Sequence, residues 1–403
     1  MNKSKSVLRT FIMLSILYAL SLSFTKVTFT LFLADKGFNK LESNFIFSTF
    51  NISVIFLEPL TAPIAELFSR KSSFLIGCFL KIITALLFIF STNVTGMVSA
   101  EIVSGLASAF ISGCLTAWFF DQIRNDKELS ERGYKVFTLV SRYKSIFVVL
   151  GGLFGSYIGN ENLNMPWLAN GTFFLLLAVI ALKVMPGEKN NLEKVSEYKI
   201  KTLLNNYKSI LSDKFIFYLL GSSLISSMGL ISLQMFRLPM IKSDFKTSVF
   251  GVGIVWVIIE SARILGTFFV NKYFDMFKMP VKGLIYLPII SFFLLSGANF
   301  FSGTYIMIAL FFAFEFFIPF FSSLKEYMLG QRVLNLGRVT VLSLENSIDK
   351  IGDVLGLIII GYLADKISVN FAWYTSALIF SLSSVMYYLA YKEQINKENI
   401  LSK

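Results

Sequence analysis

The chain alternates from end to end between long apolar runs and short polar segments. Each run has about 20 residues or more, roughly what a helix needs to cross a hydrocarbon core of about 30 Å. Alternation with a period of two over ten-residue segments, the pattern of membrane barrel strands, is missing. The pattern predicts an all-α membrane protein with 12 transmembrane helices. We place them at residues 7–33, 43–68, 72–92, 98–121, 136–160, 166–185, 215–240, 247–271, 283–300, 304–324, 339–364 and 370–391.

One charge-rich segment, residues 187–214, interrupts this pattern and separates six spans from six spans. Two internally repeated bundles with a charged middle have this organisation. We therefore predict an N-terminal six-helix bundle at 1–186, a cytoplasmic linker at 187–214 and a C-terminal six-helix bundle at 215–403. Leu, Ile and Tyr recur at helical spacing within 192–211, which predicts an amphipathic surface helix in the linker.

Composition supports this class of protein, since 55% of the residues are hydrophobic and 15% are charged. The formal charge of +12 could suggest a nucleic-acid partner, but the basic residues are spread thinly over short segments. Most of them fall in alternate connections, which by the positive-inside rule puts both termini in the cytoplasm. The basic residues of the outer loops are Lys36, Lys40, Lys242, Lys246 and Lys366.

Three acidic residues, Glu345, Asp349 and Asp353, lie on one stripe of predicted span 11. Spacings of four and eight residues turn a helix by only about 40° and 80° from the starting direction, so the three side chains point to one side. Carboxylates in a membrane span are costly unless they face a watery cavity, a partner or a substrate path. We expect this stripe to face the protein interior.

Proton chemistry in this chain falls to carboxylates because the sequence has no His. Cys78 and Cys114 lie in apolar spans and are predicted to be buried, free thiols. The sequence shows no convergent His, Cys or Ser arrangement and no nucleotide-binding Gly-rich loop. We therefore predict no enzyme activity, no cofactor and no resident metal.

A short motif follows predicted span 2, where residues 62–71 read APIAELFSRK. It resembles the GxLADRxGRK signature of the major facilitator superfamily, with matches at Ala65, Glu66, Arg70 and Lys71. In the corresponding turn after span 8 only Asp275 aligns. Stretches in spans 4 and 11 resemble bacterial drug/proton antiporters of this superfamily. The resemblance implies that spans 1, 4, 7 and 10 line a central cavity, and that Glu66, Arg70 and Lys71 latch the cytoplasmic face.

The charges inside the predicted spans fall mainly on those that the resemblance places at or beside the cavity. We assign candidate proton-coupling or substrate-cavity roles to Glu315, Glu345, Asp349, Asp353, Lys26 and Glu58. Structural or gating roles are assigned to Glu66, Arg70, Lys71, Asp121, Glu260, Arg263 and Asp275.

Each assignment has a structural alternative. Glu315, in an aromatic stretch of span 10, could exchange protons or sit in a salt bridge, although span 11 offers only Lys350 to four acids near the membrane midplane. The span 11 acids could relay protons, bind a cation or pair with Lys350 or Lys26. Glu260 and Arg263, three residues apart, are predicted to form an internal ion pair.

Two further assignments also have alternatives. Glu58 precedes Pro59, and a functional role and a packing role are both open for it. Arg70 and Lys71 could instead be simple positive-inside anchors.

These features predict a monomeric secondary active transporter in the bacterial cytoplasmic membrane, surrounded by lipid. Its expected activity is proton-coupled efflux of a small cationic or zwitterionic, partly apolar compound by alternating access. The alternatives are proton- or sodium-coupled uptake of a nutrient, peptide or metal chelate and, more distantly, a non-transporting membrane sensor.

Overall fold

Helices make up the regular structure in the described part of the chain. The computed structural model describes residues 2–111, 114–123, 133–185, 212–276, 280–332 and 337–401. The first helices are α1 Asn2–Ser23, α2 Phe29–Asp35, α3 Lys40–Phe68, α4 Arg70–Phe90, α5 Val94–Ile111, α6 Cys114–Ile123, α7 Gly133–Ile158 and α8 Met165–Val184. They are followed by α9 Lys214–Asp244, α10 Val249–Met276, α11 Pro280–Phe300, α12 Tyr305–Arg332, α13 Gly337–Lys366 and α14 Val369–Leu401.

The all-α prediction is confirmed, and among the described residues 9 helices are long and apolar enough to cross a membrane. Predicted spans 2, 5 and 11 also form helices, as α3, α7 and α13. Predicted span 1 is not continuous, because a turn at residues 24–28 separates α1 from α2. This segment contains Thr25, Val27 and Thr28, whose branched side chains weaken helix formation. The total of 12 spans and the sidedness of the termini stay predictions.

Polar side chains fix the starts of two of these helices. At α3, the Asn39 backbone N–H donates to the Glu42 carboxylate (2.9 Å) and the Glu42 N–H donates to the Asn39 side chain (2.8 Å). This reciprocal arrangement is a capping box. At α9, the Asp213 carboxylate accepts a hydrogen bond from the Phe215 N–H at 2.9 Å. Both caps satisfy N–H groups that have no partner within the helix.

The chain divides into two compact units. Unit 1 comprises Met1–Phe38, Thr49–Ser196 and Thr247–Val257, and unit 2 comprises Asn39–Ser48, Glu197–Lys246 and Ile258–Lys403. The predicted amphipathic helix at 192–211 lies outside the described residues. The predicted division into 1–186, 187–214 and 215–403 therefore stays a prediction.

In unit 1, glycines of α7 allow α1 and the following turn to approach closely. A Cβ atom at Gly151 would overlap the Ser23 hydroxyl, and one at Gly155 would overlap the Phe24 carbonyl. Cys78 and Cys114 are buried free thiols, as predicted, in an apolar core that includes Phe74.

In unit 2, glycines of α13 likewise allow this helix to pack closely against α9. A Cβ atom at Gly352 would overlap the Leu224 carbonyl, and one at Gly356 would overlap the Met228 carbonyl. Glycines at four-residue spacing thus permit close helix approach in both units. In unit 2, this close contact sets where α13 presents its acidic residues.

Candidate functional site

Charged side chains from four helices meet in the interior of unit 2 and form two groups. The arginine cluster consists of Arg237 (α9), Glu260 and Arg263 (α10) and Glu315 (α12). The lysine cluster consists of Lys325 (α12) with Glu345 and Asp349 (α13). Helix packing brings together residues that are up to 78 positions apart in the sequence.

Glu315 is the centre of the arginine cluster. Its Oε1 accepts a hydrogen bond from Arg237 Nη1 at 2.5 Å, and its Oε2 accepts from Arg263 Nε at 3.0 Å and Nη2 at 2.6 Å. Glu260 is further away, with one oxygen 3.8 Å from Arg237 Nη2 and the other 3.8 Å from Arg263 Nη1. Charge-assisted hydrogen bonds between a guanidinium and a carboxylate are among the stronger polar interactions in proteins. Glu315 is therefore held firmly, whereas Glu260 is held loosely.

A cavity of about 150 Å³ lies beside this cluster. Its polar lining comes from Arg237, Arg263, Glu315 and Gln234. Its apolar lining is Leu230, Leu233, Leu295, Phe311, Phe314, Ile318 and Trp373. We call this space the arginine cavity.

Glu345 and Asp349 share one ammonium group in the lysine cluster. Lys325 Nζ lies 2.8 Å from the Glu345 carboxylate and 3.8 Å from that of Asp349. The side chains of Lys325 and Glu345 are 10% and 8% exposed, whereas that of Asp349 is 37% exposed. Glu345 thus forms the tight, buried pair, and Asp349 is the accessible member.

A second cavity, of about 170 Å³, adjoins the lysine cluster, and we call it the lysine cavity. Lys325 and Asp349 both line it, together with Ser226, Ser227 and Tyr387. Leu230 and Ile318 line this cavity and the arginine cavity alike. The two cavities are therefore neighbours within unit 2.

Two expectations about ion partners are corrected. Few cations were expected near Glu315, with Lys350 of span 11 serving four acids, but Glu315 pairs with Arg237 of α9 and Arg263 of α10. Glu345 and Asp349 contact Lys325, which was not among the candidates. Lys325 directly follows predicted span 10 and resembles an ordinary positive-inside residue. Only the packing of α12 against α13 reveals its role.

The remaining candidates for proton coupling have less defined surroundings. Asp353 is partly buried, one turn beyond Asp349 on α13. Lys26 lies exposed in the turn between α1 and α2, and Glu58 is partly buried in α3. Both of these belong to unit 1. Their assigned roles stay predictions.

Among the gating candidates, Lys71 has a clear structural contact in unit 1. Its Nζ donates hydrogen bonds to the carbonyls of Leu182 (2.7 Å) and Met185 (2.6 Å) at the end of α8. A cation at this position satisfies carbonyl groups that lack helical partners. Arg70 begins α4. The side chains of Glu66, Asp121 and Asp275 lie outside the described part of the structure.

Two ionisable residues of unit 1 are buried without having been among the sequence-predicted site residues. Lys81 is 5% exposed, and Glu101 is 4% exposed. Lys81 Nζ donates to the carbonyl (3.1 Å) and the hydroxyl (2.9 Å) of Ser104. The cause is that Lys81 lies on the face of α4 that packs against α5.

Comparison with known proteins identifies the family to which this chain is related. The family model of the Major Facilitator Superfamily matches residues 11–328. Multidrug resistance protein 1 of Bacillus subtilis (strain 168) is 22% identical over 346 residues, which cover 84% of each chain.

Solved structures show the same fold. A bacterial homologue of the human lysosomal transporter Spinster superposes with a TM-score of 0.79 at 11% identity, covering 98% of each chain. The nucleoside transporter NupG gives a TM-score of 0.73 at 17% identity, covering 98% of this chain and 99% of the other. With a family model that matches most of its length and transporters that share its fold, the chain belongs to the Major Facilitator Superfamily, a family of membrane transporters and not of enzymes.

Proposed function

We propose that this protein is a proton-coupled exporter of a small, partly apolar cation or zwitterion, with Asp349 as the proton-exchanging group. The observation that carries the proposal is the lysine cluster, in which two carboxylates share one ammonium beside a cavity. Carboxylates inside a membrane protein commonly mark proton or substrate pathways.

The charges of the lysine cluster explain why Asp349 is the exchanging group. Glu345 lies closest to Lys325 and balances its charge, so the carboxylate of Asp349 is left in excess. A proton on Asp349 neutralises that excess without breaking the tighter pair. Because Asp349 lines the lysine cavity, both a proton and a cationic group of a substrate can reach it. Competition between the two for one carboxylate would couple their movement in opposite directions.

Transport by alternating access follows from this exchange. In one state the cavity opens to the cytoplasm and a substrate cation replaces the proton; in the other it opens outward and a proton replaces the substrate. The resemblance of Glu66, Arg70, Lys71 and Asp275 to the family signature supports a latch role for these residues in the switch. Asp353, one turn away on the same helix, would supply protons to Asp349.

Export is the proposed direction because the similar Bacillus subtilis protein is a multidrug resistance protein. Uptake by symport is the competing direction for the same site. We further propose that the protein works as a monomer in the bacterial cytoplasmic membrane. One chain supplies both helical units, which supports a monomer. Its basic residues lie mainly in the predicted cytoplasmic connections, which supports this membrane location.

Everted membrane vesicles test both the coupling and the direction. A respiratory substrate acidifies the vesicle lumen, and a pH-sensitive dye reports the gradient. The probes are ethidium, an aromatic cation, and norfloxacin, an aromatic zwitterion, added from the former cytoplasmic side. An exporter that exchanges protons for substrate makes the lumen less acidic when a transported probe is added. A symporter makes no such change, and that result would contradict the proposed function.

The Asp349→Asn variant tests the assigned residue. It keeps the size of the side chain but removes its titration, so we expect gradient-driven transport to fall at least tenfold. Exchange of labelled probe for unlabelled probe across the membrane, which needs no net proton movement, should be retained in part. Asp365→Asn, near the end of the same helix, is the matched control and should transport normally. Normal pumping by Asp349→Asn would reject the assignment.

A further inference from the structure

We propose that the arginine cavity is a binding site for a carboxylate group, so that the compound recognised by this protein carries a carboxylate next to an aromatic body. The identification of this compound as the transported substrate rests on the proposed function. The site itself rests on four observations in unit 2.

The first observation is that the arginine cluster has unused hydrogen-bond donors. Each guanidinium carries five N–H donors in a planar fork. Hydrogen bonds to Glu315 engage one nitrogen of Arg237 and two nitrogens of Arg263. Glu260, at 3.8 Å from each arginine, is beyond hydrogen-bond distance. Arg237 Nε is buried, since Arg237 is only 7% exposed, and it has no acceptor among the described residues.

The second observation is that two polar side chains of membrane-spanning helices are accessible here. The side chain of Arg263 is 39% exposed, although Arg263 lies within a span of α10. Gln234 is exposed in the second half of α9. Both residues line the arginine cavity. Polar groups at such positions are expensive unless they serve a pathway or a ligand.

The third observation is the shape and chemistry of the cavity. Phe311, Phe314 and Trp373 form an aromatic wall, and the Arg237 guanidinium carbon lies 5.9 Å from the centre of the Phe311 ring. A cavity of about 150 Å³ in another protein holds benzene. The arginine cavity, of about the same volume, can thus hold one aromatic ring or part of one. Guanidinium donors that remain beside such a wall match a carboxylate attached to a ring.

The fourth observation is that the lysine cavity adjoins this site through Leu230 and Ile318. A zwitterion could therefore place its carboxylate near Arg263 and its cationic group near Asp349. This arrangement narrows the proposed substrate class from partly apolar cations and zwitterions to aromatic zwitterions.

Benzoate and its neutral analogue benzamide test the site directly. Both bind weakly enough to be titrated by saturation-transfer NMR against the purified full-length protein in detergent. We expect benzoate to bind at least tenfold more tightly than benzamide, because only benzoate carries the charge that the guanidinium fork recognises. Equal binding of the two compounds, or no binding of benzoate, would overturn the proposal.

Three variants locate the binding. Gln234→Leu removes one donor but no ion pair, so it should fold normally and weaken benzoate binding severalfold. Arg263→Gln should abolish the preference for benzoate over benzamide. Arg142→Gln changes an exposed arginine of unit 1 in the same way and should bind like the parent protein. Unchanged benzoate binding by Gln234→Leu and Arg263→Gln would refute the assigned site.

This binding assay is independent of the proposed coupling. It uses no proton gradient, so a protein that binds benzoate but fails the vesicle experiment would disprove the transport mechanism and leave the carboxylate site standing. The opposite pair of results would disprove the site and leave proton coupling standing.

Discussion

Buried charges in unit 2 are compensated by residues from other helices. Glu315 is 1% exposed and Glu345 is 6% exposed, and each lies within hydrogen-bond distance of a cationic side chain. A buried charge whose partner is removed is far more destabilising than the loss of the pair as a whole. The lysine cluster therefore has a structural consequence that can be separated from its proposed role in transport.

Lys325→Met tests this consequence. The substitution leaves the buried Glu345 without its cation and should lower the free energy of unfolding by about 3–5 kcal/mol. Adding Glu345→Gln to Lys325→Met removes the unpaired carboxylate charge, so the double variant should recover much of the lost stability. Thermal unfolding of the detergent-solubilised proteins measures both effects. A single variant as stable as the parent would show that Lys325 does not compensate Glu345.

At the scale of helices, close approach depends on glycines that face a neighbouring backbone. In unit 2 the seam between α9 and α13 is formed where Gly352 and Gly356 meet carbonyl groups of α9. Backbone carbonyls cannot move aside as a flexible side chain can. The position of α13, and with it the distance from Asp349 to Lys325, is therefore sensitive to small changes in this seam.

Gly356→Ala should disturb this seam, because the added methyl group would overlap the Met228 carbonyl. We expect a destabilisation of about 1–3 kcal/mol, typical of an overpacked interior, together with weaker transport. Gly221→Ala in α9 is the matched control, since its nearest neighbour is the sulfur of Met386 at 3.4 Å. Thermal unfolding should separate the two variants. Equal stability would mean that the seam tolerates separation of the helices.

The contact of Lys71 with the end of α8 predicts a stabilising cap in unit 1. Lys71→Gln weakens two hydrogen bonds to carbonyls and should reduce the free energy of unfolding by about 1 kcal/mol. Lys183→Gln, in the last turn of the same helix but with an exposed side chain, should have little effect. Thermal unfolding of the two variants makes the comparison. A larger loss of stability for Lys183→Gln would show that positive charge near the end of α8 matters more than the two hydrogen bonds of Lys71.

At the scale of the whole molecule, the predicted sidedness of the membrane helices depends on where the basic residues lie. Lys40 belongs to a predicted outer loop and Lys272 to a predicted cytoplasmic turn, and both are exposed. The two native cysteines are buried, so they should not compete for a thiol reagent.

Labelling of single introduced cysteines tests the orientation. A membrane-impermeant maleimide added to intact cells should label Lys40→Cys and leave Lys272→Cys unlabelled. Permeabilised cells should label both variants, which serves as the control for reactivity. Labelling of Lys272→Cys in intact cells would reverse the predicted topology.

The sequence was sufficient for features that depend on local pattern. Apolar length predicts helices because a backbone in lipid must satisfy its own hydrogen bonds. The signature around Glu66 and Arg70 resembles that of the family to which the chain belongs. These properties can be read from residues a few positions apart.

Only the tertiary structure decided which charges meet. The partners of Glu315 lie 52 and 78 positions away, and Lys325 resembles a loop lysine until α12 is packed against α13. The burial of Lys81 also depends on how helices pack. Helical periodicity fixes the face on which a charge lies, but the identity of its partner depends on a neighbouring helix whose position is set by packing over the whole unit.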